Sequence, residues 1–311
     1  MHNFFNIVSY TLSCLLVVGF FLFNIVVRSA NAQITNNRNV HTITFRISTW
    51  NLNWLIDKTS PSSRTIPLDV PYRSTRDYKA LAIYASRLRS DLIAAQEVGS
   101  ASVLTRLFPK TTYQILLSND TTPQHTALIA RKQFILHRNP DLIDLSLGSS
   151  NRHTLRNGLD VTVTFPNTQN KELRILVVHL KTGCWDNSLQ SHKHSCYVLH
   201  QQFAILKHWI QKRAKEKVAF AIIGDFNRIL TPESPLFLTL SNITPLDLTT
   251  ANRSSPCHGG EYFIDHIILG GAAIGWKKAN SLRVMHIPQH NGEILSDHCP
   301  VSITLDVPTH T

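Results

Sequence analysis

Strand-length apolar runs recur along most of this chain, and several of them stop at an acid, an amide or an imidazole. Residues 41–50 alternate, with Ile43, Phe45 and Ile47 on one face, which predicts a half-buried strand. Residues 91–98, 173–180, 218–223 and 301–307 read as buried strands. Shorter runs at 113–117, 127–131 and 134–136 suggest a meander, 159–165 alternates strictly, and 262–269 and 282–287 complete the set. Helical spacing is confined to 74–90, a short stretch at 100–108 and a long one at 195–215. Many strands with few helices, partly in hairpins, predict an α/β chain with two β-sheets packed face to face and helices outside.

The chain has 311 residues, 43% of them hydrophobic, which is ample for one large core. No shift of composition divides residues 41–308, so they are expected to form a single domain after a polar, Asn-rich linker at 33–40. Lys and Arg outnumber Asp and Glu by 31 to 20, a net charge of +11. That excess suits a polyanion, either nucleic acid or an anionic membrane surface. The dense patch between Lys212 and Lys217 alternates with Ala214 and Glu216 and reads as a solvated helix end.

Residues 4–27 are mostly apolar and carry no Asp, Glu, Lys or Arg. Ala30-Asn31-Ala32 follows, and it fits the small-x-small rule for signal peptidase. No Lys or Arg precedes the run, and it is long enough to span a bilayer, so residues 1–32 read either as a cleaved signal peptide or as a retained anchor. Both place the folded part outside the cytoplasm, secreted or periplasmic, with membrane association only through that segment. Cys14 lies inside it; Cys184, Cys196, Cys257 and Cys299 remain. An even set in an exported chain predicts disulfides, and no Cys-x-x-Cys spacing supports a zinc site. Of the three possible pairings we favour Cys184 with Cys196, closing a short loop, and Cys257 with Cys299.

The chemistry is expected where strands end. Asn51 follows the first strand, Glu97 ends the second, and His179 ends the run 173–180. Asp225 and Asn227 lie in Gly224-Asp225-Phe226-Asn227, and Asp297 and His298 in Ser296-Asp297-His298, just before the last strand. Taken singly, an acid after a strand is more often a cap or turn residue. Asp265 differs, because it sits within an apolar strand and needs a buried partner, for which His298 is the natural choice. Together the acids, amides and imidazoles suit a hard divalent cation and a phosphate ester.

In order and spacing this set resembles the endonuclease/exonuclease/phosphatase superfamily, as a secreted, bacterial-type member, over roughly residues 41–308. Gly-Asp-Phe-Asn and Ser-Asp-His-x-Pro-Val carry the likeness. The resemblance implies a deoxyribonuclease I-like four-layer sandwich, with two mixed β-sheets flanked by helices. It implies Glu97 as the main Mg²⁺ ligand, with Mn²⁺ or Ca²⁺ as other occupants, and Asn51 and Asp297 nearby. Asn227 would hold a phosphate oxygen, and Asp225 would orient or deprotonate the attacking water. His298, oriented by Asp265, would contact the phosphate or act as base, and His179 would protonate the leaving oxygen. In related branches a carboxylate orients that His. Asn119 stands where the acid is expected, which leaves Asp120. Arg156 reads equally as a phosphate contact and as a surface arginine.

The leading expectation is a monomeric, exported, metal-dependent nuclease of low specificity acting on DNA or RNA. A sphingomyelinase-type phospholipid hydrolase would need exposed apolar loops, and residues 236–238 and 270–276 are the two available. A soluble phosphatase would use the same site. A non-catalytic binder would lack a catalytic position, and none is lacking. Trp54, Trp185 and Trp276 read as packing residues, with base stacking as the alternative. His192, His194, His200 and His208 read as surface residues.

Overall fold

In the computed structural model of the chain, the residues described are 41–57, 66–67, 70, 72–147, 155–188, 191–257, 262–288 and 294–309. The expected signal or anchor at 1–32 and the linker at 33–40 lie outside them. In chain order the strands are β1 (Thr42–Leu55), β2 (Leu92–Val98), β3 (Tyr113–Leu117), β4 (His125–Arg131), β5 (Ile135–Arg138), β6 (Leu159–Thr164), β7 (Glu172–His179), β8 (Phe220–Asp225), β9 (Leu246–Leu248), β10 (Asp265–Gly270), β11 (Arg283–Val284) and β12 (Val301–Pro308). The helices are α1 (Thr75–Leu88), α2 (Ala101–Leu104), α3 (His194–Glu216), α4 (Pro235–Ser241) and α5 (Ala273–Trp276).

The strands form two six-stranded sheets, ordered β11-β12-β1-β2-β4-β3 and β5-β6-β7-β8-β10-β9. Each sheet has a single parallel pair near its centre, β1 with β2 and β7 with β8; every other pairing is antiparallel. A parallel pair needs a crossover, and α1 and α3 supply them. Ser74 caps α1 by accepting from the Asp77 N–H, while the Asp77 carboxylate takes the Ser74 N–H. Behind that cap, Tyr78, Leu81, Ala85 and Leu88 form the buried stripe.

Alternation along the strands sorts the apolar residues into layers. Phe45, Ile47, Leu92 and Leu128 from one sheet meet Val161, Ile175, Val177 and Ile223 from the other in the central core. Leu199, Phe203, Leu206 and Ile210 of α3 cover the outer face of the second sheet, and Tyr78 and Leu81 of α1 cover that of the first. The result is the four-layer sandwich expected from the sequence.

Both proposed insertion segments are packed in part, with Leu238 left 41% exposed. Leu236 and Phe237, in α4, are 2% and 4% exposed, and Ala273 and Trp276 of α5 join the central core. Withdrawing each buried large side chain would cost about 1.5–3 kcal/mol, which opposes insertion of either segment into a bilayer. No helix among the described residues is long and apolar enough to cross a membrane. The exposed positions of His192, His194, His200 and His208 agree with their reading as surface residues. Cys184 is bonded to Cys196 and Cys257 to Cys299, the favoured pairing.

Candidate active site

The two parallel pairs place Asn51 and Glu97 at the end of one sheet, and His179 and Asp225 at the end of the other. Their antiparallel neighbours run the opposite way, so β10 begins with Asp265 beside Asp225 and β12 begins just after His298. Strands that end and strands that start therefore meet at one rim. There Glu97, Arg156, His179, Asp225, Asn227, Asp297 and His298 line a cleft of about 400 Å³.

A register shift between Ala95 and Val98 marks a bulge in β2, and Glu97 takes φ of 61°. This backbone state costs a side-chain-bearing residue roughly 1–2 kcal/mol and turns the carboxylate inward. Three donors hold it there. Asn51 Nδ2 reaches Oε1 at 3.1 Å, and the Trp54 N–H and Gln124 Nε2 reach Oε2 at 3.0 and 2.9 Å. The Asn51 amide oxygen accepts the Asn53 N–H at 2.9 Å, which leaves Nδ2 to bridge Glu97 and Asp225, the latter at 3.0 Å. Asn51 thus presents its nitrogen, not its oxygen, to the two acids. Arg73, which the sequence did not single out, donates to the carbonyls of Leu52, Asn53, Trp54 and Leu295 and ties the β1 end to the segment before Asp297.

Gly224 has φ of 154°, and a Cβ there would lie 1.9 Å from the Val178 carbonyl oxygen of the neighbouring strand. Gly224→Ala is expected to destabilise the fold by at least about 3 kcal/mol, because the obstacle is backbone. Chemical denaturation of the variant checks this; a midpoint equal to that of the native chain would contradict it. Just after Gly224, Asp225 is fully enclosed. Its Oδ1 accepts the Asn227 N–H at 2.7 Å, and its Oδ2 accepts Asn227 Nδ2 at 3.1 Å. Burial, reinforced by Asp265, raises its pKa to about 7. Asn227 Nδ2 also donates to the Leu180 carbonyl at 3.1 Å, so this amide is engaged within the protein instead of being free for a phosphate oxygen.

Asp265 Oδ2 accepts from His298 Nδ1 at 2.8 Å, the partnership expected from the sequence. His298 Nε2 lies 3.9 Å from Asp225 Oδ2. Burial opposes the imidazolium, but Asp265, Asp225 and Asp297 outweigh it and lift the His298 pKa to about 10. His179 is the opposite case. Burial, then Arg156 and His298, push its pKa well down, so it is neutral. Its Nε2 stands 3.7 Å from Glu97 and 3.6 Å from Asp225, while Nδ1 has no hydrogen-bond partner among the described residues. Asp120 bonds to the Ser118 hydroxyl and to the Asn157 N–H, and does not orient His179. Arg156 is no surface arginine. It lines the cleft wall near Glu97, Asp225 and Asp120, and its Nε is buried without a hydrogen-bond partner among the described residues.

The donor set fits a hard divalent cation. Glu97 and the exposed Asp297 both line the cleft with carboxylate oxygens, the hard donors such a cation takes. Asp225, Asp265 and His298 also have ligating atoms within 4.8 Å of one another. In that trio, however, the Asp265–His298 hydrogen bond already occupies Asp265 Oδ2 and His298 Nδ1, so it is better suited to orienting an imidazole.

Solved structures share this architecture. D. rerio TDP2 complexed with single strand DNA product aligns at a TM-score of 0.54 with 15% identity, covering 85% of this chain and 99% of that one. An endonuclease/exonuclease/phosphatase family protein from Bacteroides thetaiotaomicron aligns at 0.55 with 13% identity, over 86% of this chain and 98% of its own. The chain has the fold of the endonuclease/exonuclease/phosphatase proteins. Mannosyl-6-phosphatase from the same bacterium has this fold too, at 0.54 and 13% identity, over 83% of this chain and 98% of that one. At these identities the likeness is one of fold alone. No family model matches the sequence, and no curated protein sequence does.

Proposed function

We propose that the protein is an exported, divalent-metal-dependent phosphodiesterase that cleaves DNA or RNA with low sequence specificity. The observation that carries this reading is the convergence of Glu97, Arg156, His179, Asp225, Asp297 and His298 on one cleft. A phosphodiester is anionic and resists attack. A bound divalent cation would neutralise phosphate charge, with Glu97 and Asp297 holding it and Mg²⁺ as the expected occupant. Arg156 and the protonated His298 offer fixed positive charge to the remaining oxygens. Asp225, with its pKa near 7, is poised to take a proton from water at neutral pH, a contribution on the order of 10² to 10⁴ in rate. Asn51 and Asn227 hold that carboxylate in place. His179, neutral in the free protein, would take up a proton from solvent as the phosphate charge arrives and pass it to the leaving oxygen.

The charge of +11 favours a polyanion over a single phosphate monoester. Burial of Leu236, Phe237 and Trp276 in the two apolar segments argues against the phospholipid reading. The disulfides and the apolar N-terminal run support export and leave the signal-or-anchor choice open. A monomer is the assembly we propose. The test incubates purified protein with plasmid, RNA, sphingomyelin and a sugar phosphate, each with and without EDTA. Nucleic acid degradation lost in EDTA is expected. Turnover of sphingomyelin or the sugar phosphate alone would replace this reading, and EDTA-resistant cleavage would remove the metal from it.

A further inference from the structure

Of the chain's 5 tryptophans, Trp185 alone is exposed, at 43%. Exposure of an indole usually accompanies loose backbone, yet residues 184–187 are held by several bonds. Cys184 is tied by its disulfide to Cys196 of α3. Arg228 Nη1 donates to the carbonyls of Cys184 and Asn187 at 2.8 and 2.7 Å. The Trp185 carbonyl accepts the Ile229 N–H at 2.9 Å, and its indole N–H donates to Asn227 Oδ1 at 3.2 Å. The ring is therefore fixed at the wall of the cleft that Asp225 also lines, with part of its surface in solvent.

A rigid, amphipathic ring in a cleft binds a flat partner at little entropic cost. Arg156 lines the same cleft. Lys181 has its pKa lowered by partial burial and then by Arg156, which places the two positive groups within range of each other. A π-face next to phosphate-binding charge matches a nucleotide unit. It does not match an acyl chain, and a polyanionic strand suits the net charge better than one sugar phosphate does.

We propose that Trp185 is the platform on which the base beside the scissile phosphate stacks, so that the site takes single-stranded nucleic acid or a frayed duplex end. The assignment rests on the phosphodiesterase reading and narrows its substrate class. In a paired duplex the base faces are covered by their neighbours, so stacking on an indole requires an unstacked base.

The test measures binding of fluorescein-labelled oligo(dT) by anisotropy in EDTA, where nothing is cleaved, for the full chain and its Trp185→Phe and Trp185→Leu variants. Stacking predicts that Leu weakens binding about tenfold while Phe stays within about threefold. A blunt hairpin duplex should lose less than the single strand on Trp185→Leu. If Phe and Leu weaken binding equally, the indole N–H to Asn227 matters and the platform is wrong. If neither variant changes binding, or the duplex is affected as much as the single strand, the proposal is likewise overturned. Failure here with EDTA-sensitive cleavage intact removes only the platform. Absence of cleavage by the native chain removes the phosphodiesterase reading itself.

Discussion

Asp225→Asn is expected to lower phosphodiester turnover by at least about 10³-fold and leave the protein folded. Asparagine matches the shape of aspartate but cannot accept a proton from water. Asp225 is the enclosed carboxylate held by Asn51 and Asn227 from one side and faced by His179 and His298 from the other. Its folded pKa of about 7 lies above the ordinary carboxylate value, so the fold favours the protonated form. The stability it contributes is present below pH 4 and lost as pH rises through about 7. A neutral amide removes that penalty, and the variant should resist heat at pH 8 as well as the native chain or better. Activity should also change shape. In the native protein kcat/KM is expected to rise with pH along a limb centred at or below about 7, since a bound cation lowers the carboxyl further, and Asp225→Asn should lose the limb. Kinetics beside thermal unfolding separates loss of a base from loss of the fold. Turnover within tenfold of native would show that another group takes the proton.

His298→Ala is the second large effect, about 10²- to 10³-fold in kcat/KM. His298 is held by Asp265 and, in the free protein, carries its proton, so its expected work is charge stabilisation at the phosphate. Its removal leaves Asp265 buried without its partner, which costs stability as well. Because the His298 pKa is raised, its contribution is fully present below pH 6.5 and disappears as pH rises through about 10. The native chain should therefore lose stability between those limits more steeply than the variant. His298→Gln keeps a donor towards Asp265 and should recover stability without recovering rate. Recovery of both would make the imidazole a structural residue only.

The layers were legible because their cause is local. Alternation and apolar runs marked β1, β2, β7, β8 and β12, and capping marked α1. The acids and imidazoles at the rim were legible for the same reason, since strand ends are visible in sequence. What stayed hidden depends on distant backbone. Nothing in the composition of residues 51–73 says that Arg73 will collect four carbonyls, and Gln124 precedes a strand without any motif. The sequence places the Asn51 amide near the cation without fixing which of its atoms faces the site. Its orientation is set by the Asn53 N–H, through a turn at φ of 46° that strand periodicity does not register. The apolar segments at 236–238 and 270–276 read as loops because short helices lack room for a 3.6-residue pattern to repeat.

The most direct test is anomalous scattering from a crystal soaked in Mn²⁺. One site is expected, within about 2.3 Å of a Glu97 carboxylate oxygen and facing the cleft shared with Asp297 and His298. A manganese ion seated only among Asp225, Asp265 and His298, or none in the cleft at all, would contradict it.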